Sequence, residues 1–387
     1  MPWIIPENKL DVQQRDFLDN TDINKRNVWI SGFAGSGKSV LLVYAIQKIK
    51  SESPDARVIL IVFTRSLVEM FTAAFSEMKL HVGVITYYEF IDGTDSYDYI
   101  FCDEVQDLIP DVLQKMKDRG SHIIVAGDSN QSIYTCDPRW RKPTVNPSRI
   151  GYYIDGGKFE LSIIHRLSRS IINALQLFLP NMNIFSAKKD MTKSDTQIRL
   201  CEAHSEKEEV KYIMEQAGKA VSQGYTSAVL IPSQKKIIEF ANKALQAANK
   251  QEWKDSTNQY GRTDFGSLNS HLFKMGIKMQ YVGNGYGRFS EDGKRIVLMT
   301  FHSAKGLDFD NVFIPFANSS MFINADETLA KTLFMVAMTR SRENLYITYH
   351  GYPSDYLDAF KSKCSQINIS STQTAVPTSS GSNLWGF

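Results

Sequence analysis

Paired cysteines, membrane-length apolar runs and a targeting segment are all missing from this sequence. The four cysteines form neither a CxxC pair nor a zinc-ligand spacing, which disfavours a zinc site and favours reduced thiols in the cytosol. No apolar stretch approaches the roughly 18 residues that a membrane-spanning helix needs. The first residues lack the basic start and apolar run of a signal peptide. We therefore expect a cytoplasmic protein.

Net charge is also nearly absent. The 387 residues carry 44 Lys and Arg against 42 Asp and Glu, a formal charge of +2, so no overall basic field attracts a polyanion. A bound nucleic acid would need a local groove. The hydrophobic share of 43% is ordinary for a globular protein, and the length favours two domains.

A regular series of short apolar runs is the main feature that the sequence does have. The runs are residues 28–30, 58–63, 99–102, 123–126, 228–231, 296–299, 312–315 and 345–348. Continuous apolar runs of this length are typical of strands buried on both faces of a parallel sheet. Segments compatible with helices lie between them, and this alternation predicts an α/β fold.

Two changes in composition suggest boundaries. The pair Gly156-Gly157 follows a stretch rich in Pro, Arg and Tyr, so we predict a first domain over residues 1–156 and a second over 157–369. Residues 370–387 are rich in Ser, Thr and Gly and are predicted to form a disordered tail.

Residues 32–39 read GFAGSGKS and match the pattern GxxxxGK[ST]. The pattern follows a predicted strand and precedes a predicted helix, which is the setting of a phosphate-binding P-loop. Backbone N–H groups freed by the glycines and the helix N-terminus favour phosphate there. The predicted ligands are Gly32, Gly35, Ser36 and Gly37 for the phosphates, Lys38 for the β- and γ-phosphates, and Ser39 for Mg²⁺. A chance glycine-rich turn is the alternative, disfavoured by the strand–loop–helix order.

The apolar run 99–102 ends in two acids, Asp103 and Glu104. Acids after a strand are often solvated caps, but downstream of a P-loop they are typical of the Walker B segment. We predict that Asp103 binds Mg²⁺ through water and that Glu104 orients and deprotonates the attacking water. The expected cofactor is Mg²⁺, and the expected substrate is ATP.

Four longer motifs resemble those of the UvrD/Rep/PcrA helicases of superfamily 1. They are DEVQD at 103–107, GDSNQSIY at 127–134, LMTFHSAKGLDF at 298–309 and LFMVAMTRSR at 333–342. Their order and spacing agree with that family from Leu10 to about Tyr349. The resemblance implies two tandem RecA-like P-loop NTPase domains with parallel sheets. It also implies ATP-driven movement on single-stranded nucleic acid, DNA rather than RNA, in the 3′ to 5′ direction.

The resemblance also implies roles around the nucleotide. Gln14 would contact adenine, and Gln131 would sense the γ-phosphate. Arg166 and Arg340 would reach the γ-phosphate from the second domain and stabilise the charge that builds on the transferring phosphoryl group. Asp308 stands where the family usually has a glutamate that contacts the ribose.

Contacts to the strand are implied in the same way. The residues that match the family's contacts are Phe63, Thr64, Arg65, Tyr87, Thr300 and His302. Their aromatic, hydroxyl and basic side chains suit bases and phosphates. One departure is Cys136, which stands where the family has a tryptophan that stacks on bases. Either this stack is lost or Trp140 replaces it; Trp140 covering the end of the sheet is an equal alternative.

Two of the segments between motifs are shorter than in the larger members of the family. Few residues separate Glu89 from Asp103, or Ile231 from Ile296, so the large insertions of bigger relatives do not fit. This leaves two hypotheses: a minimal translocase and helicase, or a nucleotide-switched interaction module in a larger complex, such as one with a nuclease. For unwinding by the first, a partner protein, self-association or the segment 139–141 would supply the missing grip on the duplex. No nuclease motif is found in the sequence.

Overall fold

The computed structural model describes residues 4–128, 132–134, 136–137, 139–180, 195–288 and 294–372, and the backbone of 188–189. These residues divide into two compact units. The first contains residues 4–167 and 188–189, and the second contains residues 168–180 and 195–372. Within the described residues, no helix has the length and apolarity needed to cross a membrane.

The first unit is built around a parallel sheet with the strand order β3-β2-β4-β5-β1-β6. The strands are β1 (Asn27–Gly32), β2 (Val58–Val62), β3 (Gly83–Thr86), β4 (Tyr97–Cys102), β5 (Gly120–Gly127) and β6 (Gly156–Leu161), with a separate short ladder of β7 (Ile163–Ile164) and β8 (Lys188–Lys189). The helices are α1 (Val12–Asn20), α2 (Lys38–Glu52), α3 (Arg65–Glu77), α4 (Tyr87–Asp92), α5 (Pro110–Arg119) and α6 (Ile150–Tyr153).

The second unit has its own parallel sheet, in the order β11-β12-β10-β13-β14-β9-β15. The strands are β9 (Gln197–Ala203), β10 (Ser227–Ile231), β11 (Met279–Tyr281), β12 (Ile296–Thr300), β13 (Phe309–Ile314), β14 (Ser341–His350) and β15 (Ser365–Asn368). The helices are α7 (Arg169–Phe178), α8 (Glu206–Ser222), α9 (Gln234–Ala247), α10 (Phe265–Lys274), α11 (Glu327–Met338) and α12 (Ile369–Thr372).

The apolar runs of the sequence form the central strands of both sheets. In β2, for example, all residues are buried, and the same holds for β10 and β12. Full burial on both faces explains why these strands are continuously apolar rather than alternating. The α/β class with two parallel sheets is therefore confirmed.

The predicted boundary at Gly156-Gly157 is wrong by about one strand. Residues 156–161 form β6, which pairs in parallel with β1 along its whole length, so the chain passes into the second unit only after Leu167. Gly156 begins this edge strand because space is short there: a Cβ on Gly156 would lie 2.6 Å from the carbonyl oxygen of Asn27. The predicted tail also begins late, since α12 extends to Thr372; residues 373–387 lie outside the described residues.

Each sheet gathers the sequence motifs at one edge. Strands of a parallel sheet run in the same direction, so their carboxyl ends meet at one edge, where ligands of open α/β sheets bind. In the first unit this edge holds the ends of β1, β4 and β5, and therefore the P-loop, Asp103 and Asp128. In the second unit it holds Thr300 at the end of β12.

Candidate nucleotide and nucleic-acid sites

The phosphate loop lies between β1 and α2, as the sequence predicts. Gly35 and Gly37 have φ angles of +76° and +83°, which favour glycine. Space is limited as well: a Cβ on Gly37 would lie 2.2 Å from Nε2 of Gln14, and one on Gly35 would lie 2.3 Å from Cβ of Arg166. The glycines are therefore required both by conformation and by packing.

Lys38 is buried at the start of α2. Its ammonium group donates hydrogen bonds of 2.9 Å to the carbonyl oxygens of Gly32 and Phe33. These two bonds connect the side chain of Lys38 to the first residues of the phosphate loop and stabilise the conformation of the loop. An ammonium group has three donors, so one remains for a phosphate oxygen.

The predicted magnesium ligands lie together. The Ser39 hydroxyl donates a 2.6 Å hydrogen bond to Oδ2 of Asp103 across the ends of β1 and β4. Burial raises the pKa of Asp103 to about 6, and the neighbouring Glu104 carboxylate adds to this; a cation would relieve both effects. A hydroxyl and a carboxylate are the hard oxygen ligands that Mg²⁺ prefers, so these residues fit the ion.

Glu104 is held in an unusual backbone conformation. Its φ of +55° and ψ of +38° lie in the left-handed region, which is uncommon for a residue other than glycine. Its N–H donates to Oδ1 of Asp103 at 2.9 Å, and Nε2 of Gln106 donates to its Oε2 at 2.6 Å. Strained backbone at a site is typical of a functional residue.

Two further residues of the DEVQD motif were not predicted as site residues. Gln106 is fully buried, and its Oε1 accepts a 3.1 Å bond from the N–H of Asp128. Asp107 is also fully buried and accepts a bond from the N–H of Ile133. These side chains link the segment after β4 to the segment after β5. Gln131, the predicted γ-phosphate sensor, lies outside the described residues.

Gln14 links α1 to the phosphate loop. Its Oε1 accepts from the N–H of Asp11 at 3.0 Å, which forms a capping box, and its Nε2 donates to the carbonyl oxygen of Ser36 at 3.2 Å. The side chain is buried. The predicted contact with adenine stays a prediction, while the link to the loop is observed.

Arg166 belongs to the first unit, which corrects its predicted origin in the second domain. The N–H groups of His165 and Arg166 donate to the carbonyl oxygen of Gly35 at 2.8 and 3.1 Å. Upstream, the N–H of Ser162 donates to Oε1 of Gln13 at 2.9 Å. The segment after β6 is therefore bound to the phosphate loop and to α1, which places Arg166 beside Gly35 without any domain movement.

Arg340 is completely buried within the second unit. Its Nε donates to the carbonyl oxygen of Val336 at 2.9 Å, its Nη1 to that of Leu307 at 3.1 Å, and its Nη2 to Oγ1 of Thr339 at 2.9 Å. The guanidinium thus joins the end of α11 to the loop before β13. Its predicted catalytic role stays a prediction, but a structural role is already present.

Asp308, predicted to contact the ribose, forms an ion pair. Its Oδ2 accepts from Nε of Arg342 at 2.8 Å, and Arg342 also lies 3.5 Å from Oδ1 of Asp310. This pairing orients the carboxylate at the start of β13. A ribose contact would use its remaining acceptor positions.

The predicted strand contacts of the first unit lie around a group of aromatic rings. Phe63 stacks on Tyr87 at 4.9 Å and contacts Tyr134 at 4.7 Å. Tyr87 is completely buried, and its hydroxyl donates to Oδ2 of Asp137 at 2.7 Å. Its prediction as a direct strand contact is therefore wrong in this structure, because packing uses its ring. Phe63 remains half-exposed above it.

Thr64 and Arg65 begin α3. The Thr64 hydroxyl accepts from the N–H of Leu67, so it caps the helix and can still donate its hydrogen. Arg65 is largely exposed and forms a 2.9 Å ion pair with Glu89. Exposed pairs of this kind contribute little to stability, so Arg65 can exchange Glu89 for a phosphate at low cost.

Trp140 is half-buried against α4. Its ring lies 5.4 Å from that of Tyr88, and the guanidinium of Arg139 lies 5.0 Å from the Trp140 ring. Oδ1 of the buried Asp137 accepts from the N–H groups of Arg139 and Trp140, at 2.8 Å each. Trp140 therefore covers the aromatic group at the end of the sheet, and its stacking on bases in place of the missing tryptophan stays a prediction.

In the second unit, Thr300 and His302 occupy the loop after β12. The hydroxyl of Thr300 donates to Oγ of Ser303 at 2.9 Å and accepts from its N–H. Burial lowers the pKa of His302, and the nearby Lys305 ammonium lowers it further. His302 is therefore neutral at neutral pH and suits a base edge better than a phosphate.

Two family models match the chain. One, described as an AAA domain, matches residues 14–137, and the other, described as a UvrD-like helicase C-terminal domain, matches residues 242–352. No curated protein sequence was found to match.

Among solved structures, the chain is similar to the PRRSV helicase, with a TM-score of 0.43 and 13% identity over 85% of this chain and 53% of that one. It is also similar to the C-terminal domain of a possible DNA helicase from Lactobacillus plantarum WCFS1, with a TM-score of 0.35 and 15% identity over 53% of this chain and 98% of that one. The chain thus spans about half the length of the PRRSV helicase.

The two family matches fall on different units and on different motifs. The first includes the P-loop, Asp103 and Glu104, and the second includes the motifs at 298–309 and 333–342. The chain is therefore similar to an AAA domain in its first unit and to a UvrD-like helicase C-terminal domain in its second.

Proposed function

We propose that this chain is an Mg²⁺-dependent, ATP-driven translocase on single-stranded DNA that moves 3′ to 5′ and unwinds duplex conditionally. The observation that supports it most is the shared sheet edge of the first unit. There, Asp103 and Glu104 follow β4, which pairs with β2, the strand that precedes the half-buried Phe63. Ser39 contacts Asp103 at the same edge.

Each residue of the phosphate site has a task in hydrolysis. Ser39 and Asp103 would hold Mg²⁺, which supplies positive charge to the phosphate oxygens. Lys38 neutralises the β- and γ-phosphates, and Glu104 accepts the proton of the attacking water. Arg166, beside Gly35, stabilises charge on the transferring phosphoryl group.

Coupling to the strand follows from links between nucleotide and strand residues. Gln106 joins Glu104 to the segment after β5, which also carries Tyr134, a neighbour of Phe63. A change at the γ-phosphate can therefore alter the aromatic surface. We propose that closure of the two units around ATP completes the site and changes the grip on the strand.

The test is the ATPase rate against single-stranded DNA, single-stranded RNA and duplex DNA. Strong stimulation by single-stranded DNA alone is the expected result. Stronger stimulation by single-stranded RNA would show that the substrate is RNA and not DNA. Hydrolysis that no nucleic acid stimulates would favour the nucleotide-switched interaction module instead.

A further inference from the structure

Two turns of the second unit are joined to each other beside the loop after β12. They comprise residues 256–263 and 283–288, called here the paired turns. Nδ2 of Asn258 donates to the hydroxyl of Tyr286 at 2.9 Å, and a Cβ on Gly283 would lie 3.0 Å from Oγ of Ser303. The second turn therefore contacts the loop that carries Thr300 and His302.

The first of the paired turns has a hydrogen-bonded backbone and presents an aromatic ring to solvent. Tyr260 is 76% exposed. Oδ1 of Asn258 accepts from the N–H groups of Tyr260 and Arg262 at 2.9 and 3.2 Å, and Thr257 pairs with Thr263 across the turn. A turn whose backbone is already held in place loses little conformational freedom when its exposed side chain binds a partner.

The surrounding sequence is the basic part of an otherwise neutral chain. Residues 249–295 contain eight Lys and Arg against five Asp and Glu, a net charge of +3, while the whole chain carries +2. Lys254, Arg262 and Arg288 are exposed, and none of them forms an ion pair within the part of the chain that the structure describes. Exposed cations outside any ion pair of the described residues suit phosphates, and an exposed ring in the same segment suits the face of a base, so a single strand of nucleotides fits both.

We propose that the paired turns form an additional nucleic-acid contact, adjoining the loop after β12, in which Tyr260 stacks on a base and Arg262 and Arg288 bind phosphates. This inference rests on the proposed function, since it extends the surface for the same strand. Lys254 adds charge to this surface. The contact is independent of base identity, because every base offers a face for stacking.

The experiment measures binding of fluorescein-labelled oligo(dT) by anisotropy, at several salt concentrations and without nucleotide. Tyr260→Ala should weaken binding about tenfold or more, whereas Tyr260→Phe should bind as the wild type does, because stacking needs only the ring. The double variant Arg262→Gln/Arg288→Gln should reduce the slope of log affinity against log salt by about 1.4, or about 0.7 for each lost phosphate contact.

Matched controls lie elsewhere on the second unit. Tyr352 is 84% exposed and Lys363 is exposed, so Tyr352→Ala and Lys363→Gln should leave affinity and salt slope unchanged. Strand-free ATP hydrolysis should be unchanged in all these variants. If the wild type binds oligo(dT) and the paired-turn variants bind equally well, this inference alone is overturned. A wild type that binds neither oligo(dT) nor oligo(U) overturns the proposed function as well.

Discussion

At the residue scale, the basic side chains of the predicted nucleotide site form hydrogen bonds with backbone carbonyl groups. Lys38 is bound by two loop carbonyl groups, and Arg340 by two carbonyl groups and a hydroxyl. A substitution of either residue therefore affects both the catalytic step and the stability of the fold. The two effects separate when turnover and the free energy of unfolding are measured together.

Glu104→Gln should preserve ATP binding and slow hydrolysis by about 10² to 10⁴, the usual contribution of a general base. The amide oxygen of the new glutamine can still accept from Gln106, so the local structure is kept. Lys38→Ala should instead abolish turnover and weaken nucleotide binding. Equilibrium binding and single-turnover hydrolysis measure the two steps. Glu343→Gln, at an exposed acid of β14, is the control, and normal hydrolysis by Glu104→Gln would remove Glu104 from its role.

Arg166→Ala and Arg340→Ala should differ in stability. Arg166→Ala keeps the backbone bonds to Gly35, so turnover should fall by about 10³ or more with little change in the unfolding free energy. Arg340→Ala removes the guanidinium donor from the carbonyl oxygen of Leu307, and an unsatisfied buried group costs about 1–3 kcal/mol; the carbonyl oxygen of Val336 still accepts from the Thr339 hydroxyl. Urea unfolding and ATPase assays on both variants check this. An unchanged urea midpoint for Arg340→Ala would refute the structural role.

At the scale of elements, strand ends and helix starts do most of the positioning. Thr64 and Thr86 cap α3 and α4, and Gly37 precedes α2 with a left-handed backbone. The same short segments after strands carry the predicted contacts. We therefore expect ligand binding to depend on the backbone conformation of these segments as much as on their side chains.

Gly37→Ala should damage the phosphate loop severely. The added Cβ meets Nε2 of Gln14 at 2.2 Å, and the left-handed φ is strained for alanine. We expect nucleotide binding to be lost and the unfolding free energy to fall by about 1–3 kcal/mol. Gly157→Ala, in β6, is the control, because no atom lies within 4 Å of its added Cβ. Equal nucleotide affinities of the two variants would contradict this account.

At the scale of the whole molecule, the chain holds two parallel-sheet units and little room for further domains. The span from Ile231 to Ile296 contains α9, α10, β11 and both paired turns, and its length leaves no room for a large insertion. Translocation needs only two units that alternate their grip on a strand. Unwinding asks for more, since each base-pair step costs about 1.4 kcal/mol on average.

We therefore expect the chain to translocate alone and to unwind duplex poorly without a partner or self-association. Displacement of streptavidin from a biotinylated single strand reports translocation, and a tailed duplex reports unwinding, at equal protein concentration. Displacement should be efficient and duplex unwinding weak. Fast, processive unwinding by a proven monomer would contradict the expectation, and Lys38→Ala is the inactive control in both assays.

Some of this protein follows from the sequence because the chemistry lies in contiguous residues. The P-loop and the acid pair after β4 need a strand, a turn and a helix in order, so the α/β class and the phosphate site were predictable. Other features depend on residues far apart in the chain. Burial of Tyr87 against Asp137, enclosure of Arg340, and attachment of Arg166 to Gly35 arise only when separate segments pack. Tertiary structure decided these contacts, because packing, and not local pattern, determines which side chains lose their access to water.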